Sequence, residues 1–128
     1  MNTRAVLLIS AAFELATGIA LVAAPNLVAS ILLSPGLTPS GEALIRLGGF
    51  GFLAFAIACW PQGEGEHQGH IKTLFLYNLV AAVYLGYLRI AGEFAGLLLL
   101  LACIFHALLA LLLAKPANRS FIDRDPAS

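Results

Sequence analysis

Charged residues are scarce in this sequence. Only 11% of the 128 residues are Asp, Glu, Lys or Arg, whereas an ordinary soluble domain has about 25%. The seven basic and seven acidic residues cancel, so there is no positive field to attract nucleic acid, and we expect no nucleic-acid partner. The two cysteines, Cys59 and Cys103, lie within apolar runs, which argues against a disulfide framework and against a cysteine-based zinc motif.

Hydrophobic residues make up 60% of the chain, and its mean hydropathy is +0.91. A transmembrane helix needs about 20 mostly apolar residues to cross the hydrocarbon core. Segments 4–24, 42–60, 71–88 and 93–114 meet this requirement and are bounded by proline, glycine or charge. The sequence therefore predicts an all-α integral membrane bundle of four transmembrane helices, formed by residues 1–114.

The connections between these segments are also distinctive. Residues 26–33 have helical spacing of apolar side chains but are too short to cross, which predicts a short interfacial helix between the first and second spans. Pro39 suits the first position of the next helix, and Glu42 suits its first turn. We expect Lys115 and Pro116 to end the last helix, leaving residues 115–128 as a short polar cytoplasmic tail.

Basic residues are unevenly distributed between the span ends, and Lys and Arg are retained on the cytoplasmic side. One side carries Arg4, Lys72, Lys115, Arg119 and Arg124, and the other carries Arg46 and Arg89. Both termini are therefore predicted to be cytoplasmic. Glu14 interrupts the apolar part of the first span, which favours an uncleaved transmembrane helix over a signal peptide.

Glu14 is the most informative residue, because a carboxylate in mid-span costs about 2.5–3.5 kcal/mol on insertion scales unless it is compensated. Counted at 1.5 Å per residue from the cytoplasmic edge, Glu14, His106 and Asn78 lie about 15, 12 and 10 Å deep. We predict that they form one intramembrane polar cluster. A structural interhelical hydrogen bond is one interpretation, and a proton-exchanging or ligand-orienting pair of Glu14 and His106 is the other.

Four further polar residues are predicted on the outer side: Glu42, Arg46, Arg89 and Glu93. Arg46 lies about one turn inside the second span, and we expect it to reach the interface by snorkelling. A pair with Glu42 at a spacing of four is the alternative. If Arg46 instead points inward, it could bind an anionic head group.

Two further groups are candidate ligand sites. Tyr77 and Tyr84 lie beside the inward face of the third span and Cys103 on that of the fourth, which suggests a ligand pocket. His67 and His70 have a spacing that can serve a metal, but they lack two further well-placed ligands, so we expect no metal site.

Small residues recur at helical spacing on the first two spans. They are Ala12, Ala16, Ala20 and Ala24 on the first, and Gly51, Ala54 and Ala58 on the second. Small side chains let helix backbones approach closely in membranes. We therefore expect these stripes to form the contact between helices.

The segments 14–18 (ELATG), 25–28 (PNLV) and 46–49 (RLGG) resemble small bacterial membrane proteins of the DoxX-like kind. The resemblance implies a compact multi-pass bundle in the bacterial inner membrane, some of whose relatives have redox or accessory roles. It transfers no catalytic residue.

The first functional hypothesis is a non-enzymatic accessory or assembly module that packs with itself or with a larger membrane complex and has no cofactor. Its small size and short loops favour this hypothesis. The alternatives are a binder of a hydrophobic small molecule, a quinone or a lipid, in possible redox service, and a subunit of an oligomeric proton-coupled transporter.

Overall fold

A computed structural model describes residues 2–33, 37–62, 68–92, 94 and 96–122, with side chains described as far as Asn118. These ranges contain five helices and no strand: α1 (Thr3–Ala23), α2 (Pro25–Leu33), α3 (Pro39–Ala58), α4 (Gln68–Ala91) and α5 (Leu97–Ile122). Helices α1, α3 and α4 and the Leu97–Asn118 part of α5 are long and apolar enough to cross a membrane. The predicted all-α class and the number of candidate spans are confirmed.

Helix α3 begins as the sequence predicts. Thr38 is its N-cap, and the Thr38 hydroxyl accepts a hydrogen bond of 3.1 Å from the backbone N–H of Gly41. Pro39 occupies the start of the helix, and Glu42 lies in its first turn. The proline lacks only an N–H that would have no helical partner there, and the carboxylate faces the positive end of the helix dipole.

The segment after α1 forms the short helix α2, as its spacing predicts. Ala24 separates the two helices with a non-helical backbone (φ −140°, ψ 58°). The end of α2 lies against the start of α5, where a Cβ added to Gly96 would come within 1.9 Å of the Leu32 carbonyl oxygen. Only glycine is compatible with this contact between α2 and the α5 entrance.

Helices α1 and α3 pack together at a pair of glycines. A Cβ added to Gly18 would lie 3.0 Å from the Gly49 carbonyl oxygen, and one added to Gly49 would lie 3.0 Å from the Gly18 carbonyl oxygen. Both glycines are buried. The absence of side chains thus allows the two backbones to come into direct contact.

The predicted small-residue stripes do not make this contact. Ala12 and Ala16 on α1, and Gly51 and Ala54 on α3, are exposed on the surface of the bundle. Gly51 has nothing within 4 Å of an added Cβ. The prediction was wrong because both helices carry small residues on more than one face, and spacing alone does not show which face meets the neighbour.

Helices α4 and α5 form the second close pair, confirming that the short connection makes them neighbours. Helix α4 continues to Ala91, one turn beyond the predicted end of the span, and Gly92 follows with φ +76°. A left-handed glycine immediately after a helix is a common C-terminal signal because it lacks the Cβ that penalises this conformation.

One end of the bundle contains a cluster of buried apolar side chains. Val6 from the start of α1 packs with Cys59 after α3, Leu74 near the start of α4 and Leu113 near the end of α5. We call this the terminal end, because the first turns of α1 and the last turns of α5 meet there. An even number of long antiparallel helices produces this arrangement.

The last helix does not stop where predicted. Helix α5 runs through Pro116 to Ile122, so the expected boundary between residues 114 and 115 lies inside a helix. Proline in a helix interior removes one backbone hydrogen bond and costs about 3 kcal/mol. The turn around it is nevertheless packed, since Leu113 is fully buried and Ala117 is 1% exposed. Burial of this turn offsets the free-energy cost of the proline. The sequence prediction took account of the proline but not of this burial.

Candidate functional site

A layer of buried polar side chains crosses the bundle just inside the terminal-end cluster. Ser10 and Glu14 extend from α1, Asn78 from α4 and His106 from α5. The first three have no exposed surface, and His106 is 5% exposed. Glu14, Asn78 and His106 lie in one layer, as their depths along the sequence predict.

Asn78 is the centre of this layer. Its Nδ2 donates hydrogen bonds to Ser10 Oγ at 3.1 Å and to the Leu74 carbonyl at 2.7 Å, and its Oδ1 lies 2.8 Å from His106 Nδ1. Because the Asn78 Oδ1 can only accept, we assign the proton to Nδ1 of His106. One amide side chain thus fastens α1, α4 and α5 together.

Glu14 is bonded to Tyr77 rather than to His106. Tyr77 Oη donates to Glu14 Oε2 at 3.1 Å, while Glu14 Oε1 is buried without a hydrogen-bond partner in the part of the chain that the structure describes. The predicted Glu14–His106 pair is therefore not a direct hydrogen bond. The two side chains are linked through Tyr77, whose ring meets the His106 ring edge-on at a centroid distance of 5.7 Å.

Aromatic rings surround the polar layer. Phe13 meets the His106 ring edge-on at 5.7 Å and the Phe105 ring at 4.2 Å. On the α3 side, Phe55 lies 4.9 Å from the Tyr77 ring, measured between centroids. These rings hold Tyr77 and His106 in place. They also keep the hydrogen bonds of this layer in apolar surroundings, where each bond is electrostatically stronger than in water.

Sequence reasoning missed Ser10 and assigned Tyr77 a different role. Ser10 precedes Glu14 by four residues, so both lie on one face of α1. Tyr77 precedes Asn78 directly, and the wide inner face of α4 accommodates both. The spacing of Ser10 could have identified it, but the direction of the Tyr77 hydroxyl depends on how closely α1 approaches α4.

A second polar group lies at the opposite end of the bundle, where α1, α2 and α3 meet. Arg46 Nη2 pairs with Glu42 Oε1 at 2.6 Å, and Arg46 Nη1 donates to the Val22 carbonyl at 2.5 Å. Asn26 Nδ2 donates to Glu42 Oε2 at 2.8 Å. Arg46 therefore adopts the alternative pairing with Glu42, and it caps the last turn of α1, where carbonyls lack helical partners.

Of the other two predicted outer-side residues, the structure describes Arg89 but not Glu93. Arg89 is exposed in the last turn of α4. Glu93 lies outside the described residues.

The predicted ligand pocket is not assembled as expected. Tyr77 is directed towards Glu14, Tyr84 is 59% exposed, and the Cys103 thiol donates to the Ala82 carbonyl at 3.4 Å. No described contact joins the three side chains. Cys103 instead lines an open apolar groove of about 420 Å³ between α4 and α5.

The described residues contain no group of three or more His, Cys, Asp or Glu side chains that could hold a metal ion. His70 lies in the first turn of α4. His67, the other half of the candidate pair, is outside the described residues.

Searches of protein-family models, of curated protein sequences and of solved structures found no match to this chain.

Proposed function

We propose that this chain is a multi-pass protein of the bacterial inner membrane with both termini in the cytoplasm and α2 at the outer interface, related to DoxX-like proteins. Four candidate spans support the crossing, and the meeting of both chain ends at the terminal end supports an even number of spans. Arg4, Lys72 and Lys115 lie near that end, and retention of basic residues on the cytoplasmic side supports the orientation.

We propose further that it is a non-enzymatic accessory or assembly module. The observation that carries this proposal is that the polar layer makes its hydrogen bonds within the chain. Asn78 is bonded to Ser10, Leu74 and His106. A layer arranged in this way holds helices together. Interhelical hydrogen bonds of this kind contribute about 0.6–2 kcal/mol in membranes.

The outer surface of α1 supplies a surface for assembly. Its exposed residues follow heptad-like steps of three and four: Ile9, Ala12, Ala16, Ile19 and Ala23. Helix α3, which packs beside α1, exposes Gly51, Ala54 and Ala58. In lipid, helices associate through close packing of small residues, so the exposed face of α1 suits a second helix better than the leucine-rich side of α5 does.

Cysteine cross-linking in native membranes tests this assignment. After replacement of Cys59 and Cys103, a single cysteine is introduced as Ala16→Cys or, at similar depth on the exposed side of α5, as Leu101→Cys. We expect a cross-linked dimer, or a cross-link to a copurifying membrane protein, for Ala16→Cys but not for Leu101→Cys. Equal cross-linking at both positions, or a monomer without any partner in both, contradicts the proposal.

The unpartnered Oε1 of Glu14 favours a second candidate function, proton-coupled transport by an oligomer. A buried carboxyl group with a free oxygen can receive a proton without breaking its bond to Tyr77. Glu14→Gln separates the two functions, because the amide keeps the shape but cannot exchange a proton. Loss of proton flux in vesicles with retained folding and assembly favours transport, and unchanged behaviour favours the assembly module.

A further inference from the structure

The groove between α4 and α5 is separate from the polar layer and from the exposed small residues of α1. Helix α4 contributes Phe75, Leu79 and Ala82, and α5 contributes Cys103, Ala107 and Ala114. All these side chains are apolar apart from the thiol, which is already bonded to the Ala82 carbonyl. The groove therefore offers no polar contact along its length.

The length of the groove matches one leaflet. At 1.5 Å per residue, the eleven steps from Cys103 to Ala114 span about 16 Å, and half of a hydrocarbon core about 30 Å thick is about 15 Å. The groove begins at the terminal end, near Phe75 and Ala114, and extends inward to Cys103. Its dimensions suit one acyl chain lying parallel to the helices.

Two lysines continue the groove beyond its terminal end. Lys72 precedes Phe75 by three residues and Leu79 by seven, and so lies on the groove face of α4. Lys115 is exposed and follows Leu111, which also lines the groove, by four residues. Lys72, which is half-buried, and Lys115, which is exposed, thus lie within about one helical turn of the groove, and in a membrane-spanning bundle their flexible side chains can reach the depth of a lipid phosphate.

We propose that this groove binds one anionic phospholipid of the leaflet at the terminal end. One acyl chain fills the apolar groove, and the phosphate lies between Lys72 and Lys115. The inference rests on the proposed membrane location but not on the assembly role. The two lysines at one end of the groove favour an anionic lipid over the neutral lipids that surround any membrane protein.

Native mass spectrometry of the full-length protein in an uncharged detergent tests the proposal, with dioleoylphosphatidylglycerol and dioleoylphosphatidylcholine as matched probes. We expect one phosphatidylglycerol to bind more tightly, by about fivefold for each lysine that contacts the phosphate. Lys72→Gln with Lys115→Gln should abolish the preference. Arg89→Gln, which removes an exposed cation at the opposite end of α4, is the matched control and should leave the preference unchanged.

A second pair of variants tests the acyl-chain contact. Ala107→Leu fills the groove and should weaken binding of both lipids, while Leu108→Phe adds bulk at an exposed neighbouring position and should not. Equal affinity for the two lipids, or a preference that Arg89→Gln removes as strongly as the lysine variants do, overturns the proposal. If Ala107→Leu reduces the mass of an oligomer instead of lipid binding, the groove holds a second copy and the lipid assignment is wrong.

Lipid binding and Ala16→Cys cross-linking, measured together, distinguish the lipid site from the assembly role. Absence of a lipid preference with normal Ala16→Cys cross-linking rejects the lipid site alone. Loss of cross-linking with an intact lipid preference rejects the assembly role alone. Recovery of the chain in the soluble fraction without detergent contradicts both.

Discussion

Tyr77 on α4 donates a 3.1 Å hydrogen bond to Oε2 of Glu14 on α1 and thereby connects the two helical pairs of the bundle. The other carboxyl oxygen of Glu14 has no partner among the described residues. Because of this asymmetry, Glu14 and its partner are informative positions to substitute. Tyr77→Phe removes the partner of Oε2, whereas Glu14→Gln keeps that partner.

We expect Glu14→Gln to change the free energy of unfolding by no more than about 1 kcal/mol. The amide oxygen can still accept from Tyr77, and the loss of an ionisable group in mid-span offsets the cost of an unpaired N–H. Tyr77→Phe should instead destabilise the bundle by about 1–3 kcal/mol, since it leaves the whole carboxyl group unpaired. Reversible unfolding in mixed micelles measures both values. A loss of stability in Glu14→Gln as large as that in Tyr77→Phe contradicts the expectation that the amide can replace the carboxyl group.

Asn78→Ala should destabilise the bundle by about 1–3 kcal/mol, because it removes the hydrogen bonds to Ser10 and His106 and leaves their polar atoms buried. Thr73→Ala is the matched control, since Thr73 is exposed on the same helix. A double-mutant cycle with Ser10→Ala should give a coupling energy of about 0.6–2 kcal/mol. A coupling energy near zero would show that the Asn78–Ser10 bond does not hold α1 to α4.

Gly49→Ala should destabilise the α1–α3 pair by about 1–3 kcal/mol, because the new methyl group approaches the Gly18 carbonyl oxygen and forces the backbones apart. Gly51→Ala, two residues away with open space around it, should be neutral or stabilising by up to about 1 kcal/mol through helix propensity. Thermal unfolding of the two variants provides the comparison. Equal effects would contradict the glycine contact.

Arg46→Gln should loosen the junction of α1, α2 and α3, since it removes the cation from Glu42 and the cap from the Val22 carbonyl. We expect a loss of about 0.5–2 kcal/mol and faster amide hydrogen exchange in α2. Arg46→Lys should restore only part of the stability because one ammonium group does not reproduce the planar fork of the guanidinium. Arg89→Gln, at an exposed position, is the control, and an equal effect there would exclude a specific role for Arg46.

The number and approximate limits of the candidate spans were determined by the sequence itself. Continuous apolar length sets which segments are long enough to cross, and the alternation of direction along four long helices brings both chain ends together. The same reasoning predicted one layer for Glu14, Asn78 and His106, because depth in an antiparallel bundle follows directly from residue counting at a constant rise.

Rotation of each helix about its axis was decided only by the tertiary structure. Lipid and protein interior are both apolar, so hydrophobic side chains on every face leave the inward face unspecified, and close packing selects it instead. This is why Gly18 and Gly49 meet while Ala12 and Ala16 face outward. The same packing joins Glu14 to Tyr77, turns Arg46 towards Val22 and buries Ala117 beyond Pro116.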